Sequence, residues 1–144
     1  MDKNVMKKLI EWKNSKNIVP LILRGKKSIN KIDIIQQFGN ENYDEIAYFD
    51  FSNNAELKNL FNTEKDVLKI LKHLSVMFGK SILPKTILIV FNNIQECPNV
   101  LNLLKDFNEK ADEYHIICTG FSLGILLASR SFAPCNVKII DILA

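Results

Sequence analysis

The stretch Leu21-Ile22-Leu23-Arg24-Gly25-Lys26-Lys27-Ser28-Ile29-Asn30-Lys31-Ile32-Asp33-Ile34-Ile35 decides how this chain folds. A short apolar run leads to a glycine and a polar loop, after which isoleucines recur at helical spacing. The first part reads as a strand covered on both faces, the last as the opening of a helix. Laid against the phosphate-loop pattern G-x-x-x-x-G-K-[ST], the segment keeps the first glycine, Gly25, and the lysine, Lys31. Asn30 replaces the second glycine and Ile32 replaces the hydroxyl residue. In an intact loop, backbone N–H groups and the positive end of the helix cradle the phosphates. The lysine contacts the outer two, and the hydroxyl binds Mg²⁺. Lys31 can still play its part, whereas Ile32 has no atom that binds a metal. Asn30 is the milder change, since asparagine tolerates left-handed backbone angles better than most residues.

The flanking sequence supplies the other elements. Asn4 to Ser15 form an amphipathic helix, with Val5, Met6, Leu9, Ile10 and Trp12 set among Lys3, Lys7, Lys8 and Lys13. Pro20 opens the first strand, Leu21 to Leu23. The helix carrying Ile32, Ile34, Ile35 and Phe38 is expected to stop at Gly39. Ile46 to Phe51 is a second strand, Ser52-Asn53-Asn54 a turn, and Ala55 to Phe61 a short helix. Thr63 is expected to cap a helix from Glu64 to Phe78, ended by Gly79. Thr86 to Phe91 is the clearest strand, with Asn92-Asn93 at its carboxyl end. Pro98 suits the first turn of a helix running to about Lys110. Tyr114 to Thr119 is a fourth strand ending at Gly120, Leu123 to Ala128 a helix, and Val137 to Ile140 a last strand. Strands and helices thus alternate, which predicts an α/β domain with a mostly parallel sheet and right-handed crossovers. In such a sheet ligands bind at the carboxyl ends of the strands, where the loops after Leu23, Phe91 and Thr119 gather.

Bulk properties exclude several function classes. The 144 residues make a single domain, residues 1–144, large enough for one core. Nineteen basic residues against 16 acidic ones give a net charge of +3, and the lysines are interleaved with acids. That pattern marks a solvated surface, not a nucleic-acid or membrane contact. No apolar run reaches the ~20 residues of a membrane helix, and the N-terminus lacks a signal-peptide layout, so a cytoplasmic protein is expected. Cys97, Cys118 and Cys135 form no C-x-x-C motif and read as small buried hydrophobes. His73 and His115 lie beside apolar residues without ligand spacing and read as core-edge histidines. No metal site is expected.

Longer segments resemble a known family. Trp12-Lys13-Asn14-Ser15-Lys16-Asn17, followed by Pro20-Leu21-Ile22-Leu23-Arg24-Gly25, is similar to the start of prokaryotic AAA-type P-loop ATPases often found with a DUF4143 C-terminal region. Ile89-Val90-Phe91-Asn92-Asn93-Ile94-Gln95-Glu96-Cys97-Pro98 resembles their Walker B segment. Glu113-Tyr114-His115-Ile116-Ile117-Cys118-Thr119-Gly120 resembles the strand that carries their sensor residue. The likeness implies a three-layer P-loop NTPase-like core, a five-stranded sheet in the order 5-1-4-3-2 with helices on both faces, and ATP hydrolysis as the family activity. It also implies that Asn92 and Asn93 replace an acidic pair that holds Mg²⁺ and polarises water, and that Phe121 replaces a small polar sensor. Neutral amides bind Mg²⁺ weakly and cannot act as a general base near pH 7. One charge-stabilising arginine in related enzymes is worth ~10³–10⁵ in rate, so these joint losses leave no route to hydrolysis. Family members continue into a helical lid and a further domain beyond the point where this sequence ends, so the domain is expected to be truncated. No arginine finger is placed by motif. Arg24 has two readings, a phosphate contact and a salt bridge at the strand end.

The loop also has two readings. Asn30 is a good N-cap, and Asp33 at the third helical position approximates a capping box with its carboxylate near the helix dipole. On that account the segment is an ordinary helix start without a ligand. On the other, Gly25, Lys26, Lys27 and Lys31 bind ATP or ADP without Mg²⁺. Gly25 and Lys31 are the expected nucleotide-binding residues, and no catalytic or metal-binding residue is expected. The function these residues imply is a degenerate AAA-type domain that does not hydrolyse ATP and binds nucleotide, a protein partner or a second copy of itself. The alternative is a weak ATPase completed by a partner chain.

Overall fold

Ile87–Asn92 (β3) is apolar at five successive positions because both of its faces are covered. Ile87, Ile89 and Phe91 enter one core cluster, while Leu88 and Val90 enter the other. The same period-two division holds at Leu21–Arg24 (β1), where Ile22 faces one layer and Leu21 and Leu23 the other. These assignments come from a computed structural model that describes residues 2–26, 28–123 and 137–142.

Three further strands complete the sheet: Glu45–Asp50 (β2), His115–Thr119 (β4) and Lys138–Asp141 (β5). Their order is β2-β3-β4-β1-β5 and every pairing is parallel, which is the expected 5-1-4-3-2 sheet read from its other edge. Asp2–Lys13 (α1) and Lys31–Asn42 (α2) cover one face, with Val5, Leu9, Trp12, Ile34, Ile35 and Phe38 buried there. Ala55–Thr63 (α3), Val67–Phe78 (α4) and Asn99–Lys110 (α5) cover the other. That second layer holds a cluster of rings in which Phe61 and Phe91 have centroids 5.3 Å apart. Each strand delivers its chain to the same edge of the sheet, so the loops after β1, β3 and β4 meet there.

Several local expectations are corrected. Gly39 lies inside α2, which runs on to Asn42 and is capped by the Tyr43 N–H bonding to the Gly39 carbonyl. The glycine is there for close packing, since a Cβ on it would lie 2.5 Å from Ile46 Cδ1. Thr63 ends α3 instead of starting α4, with its hydroxyl donating to the Asn59 carbonyl. Glu64 is extended, and Asp66 caps α4 by accepting from the Leu68 N–H. Gly79 does end α4, with a left-handed φ of 98°. His73 is exposed on α4, whereas His115 is buried as expected. Cys97 and Cys118 are buried free thiols, and burial raises the pKa of both. Cys135, Arg130 and, beyond Leu123, the helix expected to Ala128 lie outside the described residues. Among the described residues no helix is long and apolar enough to cross a membrane.

Candidate functional site

The loop from Gly25 to Asn30 joins the end of β1 to the start of α2. At Gly25 an added Cβ would sit 3.3 Å from Ile142 Cβ, so the chain following β5 passes close against the loop. Arg24 makes a two-pronged ion pair with Asp141 across the β1–β5 pairing, at 2.6 and 2.8 Å. That pair raises the pKa of the guanidinium and lowers that of the carboxyl. Of the two readings of Arg24, the strand-end salt bridge is the one observed. Lys26 is exposed, and Lys27 lies outside the described residues.

Asn30 caps α2 as its chemistry suggests. Its Oδ1 accepts from the Asp33 N–H at 3.2 Å, and its Nδ2 donates to Asp33 Oδ2 at 2.9 Å. The carboxylate therefore reaches back to the cap's side chain, a variant of the capping box. Lys31 is the first residue of α2 and only 3% exposed. Its ammonium donates to the carbonyls of Gly25 (3.2 Å) and Lys26 (3.3 Å), and the Phe121 ring centroid lies 4.9 Å away. Desolvation lowers its pKa. The lysine thus closes its own loop.

Asn92 and Asn93 at the end of β3 form the facing wall. Asn93 adopts a left-handed conformation, φ 58° and ψ 45°, which an asparagine accepts at little cost. Asn92 Oδ1 accepts from the Asn93 N–H, and Asn92 Nδ2 donates to the Tyr48 hydroxyl at 2.8 Å. Asn93 Nδ2 donates to Asp50 Oδ1 at 2.8 Å, and Gln95 Nε2 donates to Asn93 Oδ1 at 3.2 Å. Gln95 Oε1 in turn accepts from the Phe121 N–H at 3.1 Å. The approach requires Gly120, because a Cβ there would lie 2.2 Å from that Gln95 oxygen. Thr119, fully buried, donates its hydroxyl to the Leu23 carbonyl and ties β4 to β1.

Between the loop from Ser28 to Ile32, the two asparagines and Gly120–Phe121 lies a cavity of 360 Å³. The structure therefore brings Lys31, Ile32, Asn92, Asn93 and Phe121 together, as their motif positions imply. Gly25 lies a short way off, bonded to Lys31 through its carbonyl. The donor set does not fit Mg²⁺: the cavity wall offers three amides, one serine hydroxyl, an ammonium and apolar side chains, and no carboxylate. Among the described residues no cluster of three or more His, Cys, Asp or Glu could hold a metal ion. Sequence reasoning missed Asp50, Tyr48 and the latching role of Gln95. For Asp50 and Tyr48 the signal was the strand order, since Asp50 pairs in register with Asn92 once β2 lies beside β3.

An all-parallel sheet of this order, with a glycine loop between β1 and α2 and a polar corner after β3, defines a P-loop NTPase-like domain. Residues 17–141 match the AAA domain family, and the chain belongs to it. No curated protein matches the sequence significantly. Similar solved structures include PCH-2 of C. elegans, 15% identical with a TM-score of 0.52, over 97% of this chain and 42% of that one. A chain in the structure of Drosophila ORC bound to AT-rich DNA and Cdc6 is 13% identical with a TM-score of 0.53, over 97% of this chain and 56% of that one. At such identities the likeness speaks for the fold alone. The chain spans about half the length of these neighbours.

Proposed function

We propose that this AAA domain does not hydrolyse ATP and acts as a binding module for a protein partner or a second copy of itself. One observation carries the reading: the Lys31 ammonium is bonded back onto the Gly25 and Lys26 carbonyls and covered by Phe121. The amides of Asn92 and Asn93 supply neither a metal ligand of useful strength nor a base. Any nucleotide would be held without Mg²⁺ and weakly, since Lys31 is already engaged by the two carbonyls and the ring.

The test is phosphate release from ATP by the purified protein beside its Lys31→Ala variant, with Mg²⁺ present. Equal, background rates are expected, and release well above the variant overturns the proposal. A second reading, a weak ATPase completed by a partner chain, is favoured by Gly25 and Lys31 standing in motif register after a buried strand. Calorimetric titration with ATP separates the two. Binding that Mg²⁺ strengthens supports the partner-completed enzyme, and binding indifferent to Mg²⁺, or absent, supports the binding module.

A further inference from the structure

The Phe121 ring lies against the buried Lys31 ammonium, and the backbone that carries it is bonded to Gln95. An ammonium has three donors. Two of those on Lys31 go to the Gly25 and Lys26 carbonyls, at 3.2 and 3.3 Å, and the Phe121 ring covers the side that remains. The lysine is 3% exposed and lines the cavity alongside Phe121, so an anion entering that cavity meets the ring next to the ammonium. The backbone that carries the ring is held by Gln95, whose other end is fastened to Asn93. Gln95 reaches that backbone only because residue 120 has no side chain.

We infer that Phe121, latched by Gln95, is the specificity-determining residue of this cavity and excludes polyphosphates from Lys31. The inference rests on the reading of a non-hydrolysing domain and deepens it, by naming the group that closes the site and the ligand class it refuses. The ring takes the place an outer phosphate needs. It also compensates the buried charge, through the attraction between an ammonium and an aromatic face. An incoming phosphate must therefore both displace the ring and replace that attraction. The cavity, 360 Å³, is lined by Lys31 together with Phe121 and two isoleucines, so a ligand that enters it meets the ring beside the ammonium.

Calorimetric titration with inorganic triphosphate in Mg²⁺-free buffer tests this on five proteins: wild type, Phe121→Ser, Phe121→Tyr, Gln95→Ala and Phe121→Ser combined with Lys31→Ala. Phe121→Ser is expected to bind about tenfold or more tightly than wild type, the scale set by losing a desolvated cation–aromatic contact. Phe121→Tyr keeps the ring and should stay closed, and the Lys31→Ala double variant should lose the gain. Gln95→Ala leaves the ring in place but frees its backbone, and should show a smaller gain of the same sign. A Phe121→Ser protein that folds, as judged by its melting curve, yet binds no more tightly than wild type overturns the inference. So does a gain that survives Lys31→Ala. Phosphate release from ATP by the wild type well above Lys31→Ala would overturn the non-hydrolysing reading, whereas the triphosphate titration reads the gate alone, so the two failures are distinguishable.

Discussion

His115 shows what burial does to a single residue in this fold. Its Nδ1 lies 2.6 Å from the Tyr43 hydroxyl, and its ring packs edge-on to Trp12 and Tyr43. Desolvation, reinforced by Lys13 and Lys85, lowers its pKa to about 4. At neutral pH the imidazole is therefore uncharged, and its Nδ1 shares a hydrogen bond with the Tyr43 hydroxyl whose direction follows the ring tautomer. The unfolded chain takes up a proton below about pH 6.5, while the folded one does not until about pH 4. Stability is then fullest above pH 6.5 and falls as the pH drops from there toward 4, by about 3 kcal/mol from this group. Carboxylates titrate over the same range, so urea unfolding should be compared with His115→Gln, whose amide oxygen can still accept from Tyr43. The wild type should lose about 3 kcal/mol more than the variant between pH 7 and pH 4. Equal losses would mean that His115 is protonated in the fold. The burial of His115 was legible beside its apolar neighbours. The tyrosine partner was not, because Tyr43 is 72 residues away.

Among the elements, α2 separates what local sequence can and cannot say. Its start was legible, because Asn30 and Asp33 are three residues apart and capping chemistry is local. Its end was not, because a glycine that terminates a helix and one that lets a strand approach look alike in sequence. The difference lies in Ile46 on the neighbouring strand. Gly39→Ala should gain up to about 1 kcal/mol in helix propensity and lose about 1–3 to overpacking against Ile46 Cδ1 and Cγ1. A net destabilisation of about 1 kcal/mol is expected in urea unfolding. Adding Ile46→Ala should recover part of it, so that the double variant is less destabilised than the sum of the singles. Strict additivity would remove the contact as the cause. The start of α4 failed for a related reason: Thr63 and Asp66 are both good caps, and only the extended Glu64 between them decides which is used.

At the scale of the whole molecule, the sheet divides the core into two layers that, among the described residues, share no buried side chain. Phe61→Leu and Phe38→Leu, one in each layer, should each cost about 1 kcal/mol and add within about 0.5 in denaturant unfolding. Phe61→Leu with Phe91→Leu should not add, since those rings touch. Alternating strands and helices made the parallel α/β architecture legible, whereas the strand order came only with the family resemblance, because alternation permits several orders. The direction of Lys31 was beyond sequence altogether: the same lysine in the same register serves a phosphate or a carbonyl. One pairing has a further consequence, for how the chain folds. The Arg24–Asp141 contact spans 117 residues, and β5 joins the sheet only at β1. Loop-closure entropy makes so distant a pairing slow to form compared with the hairpin-scale steps of local structure. Since the chain just past β5 packs against Gly25, the loop acquires its final shape only when the two ends of the domain have met.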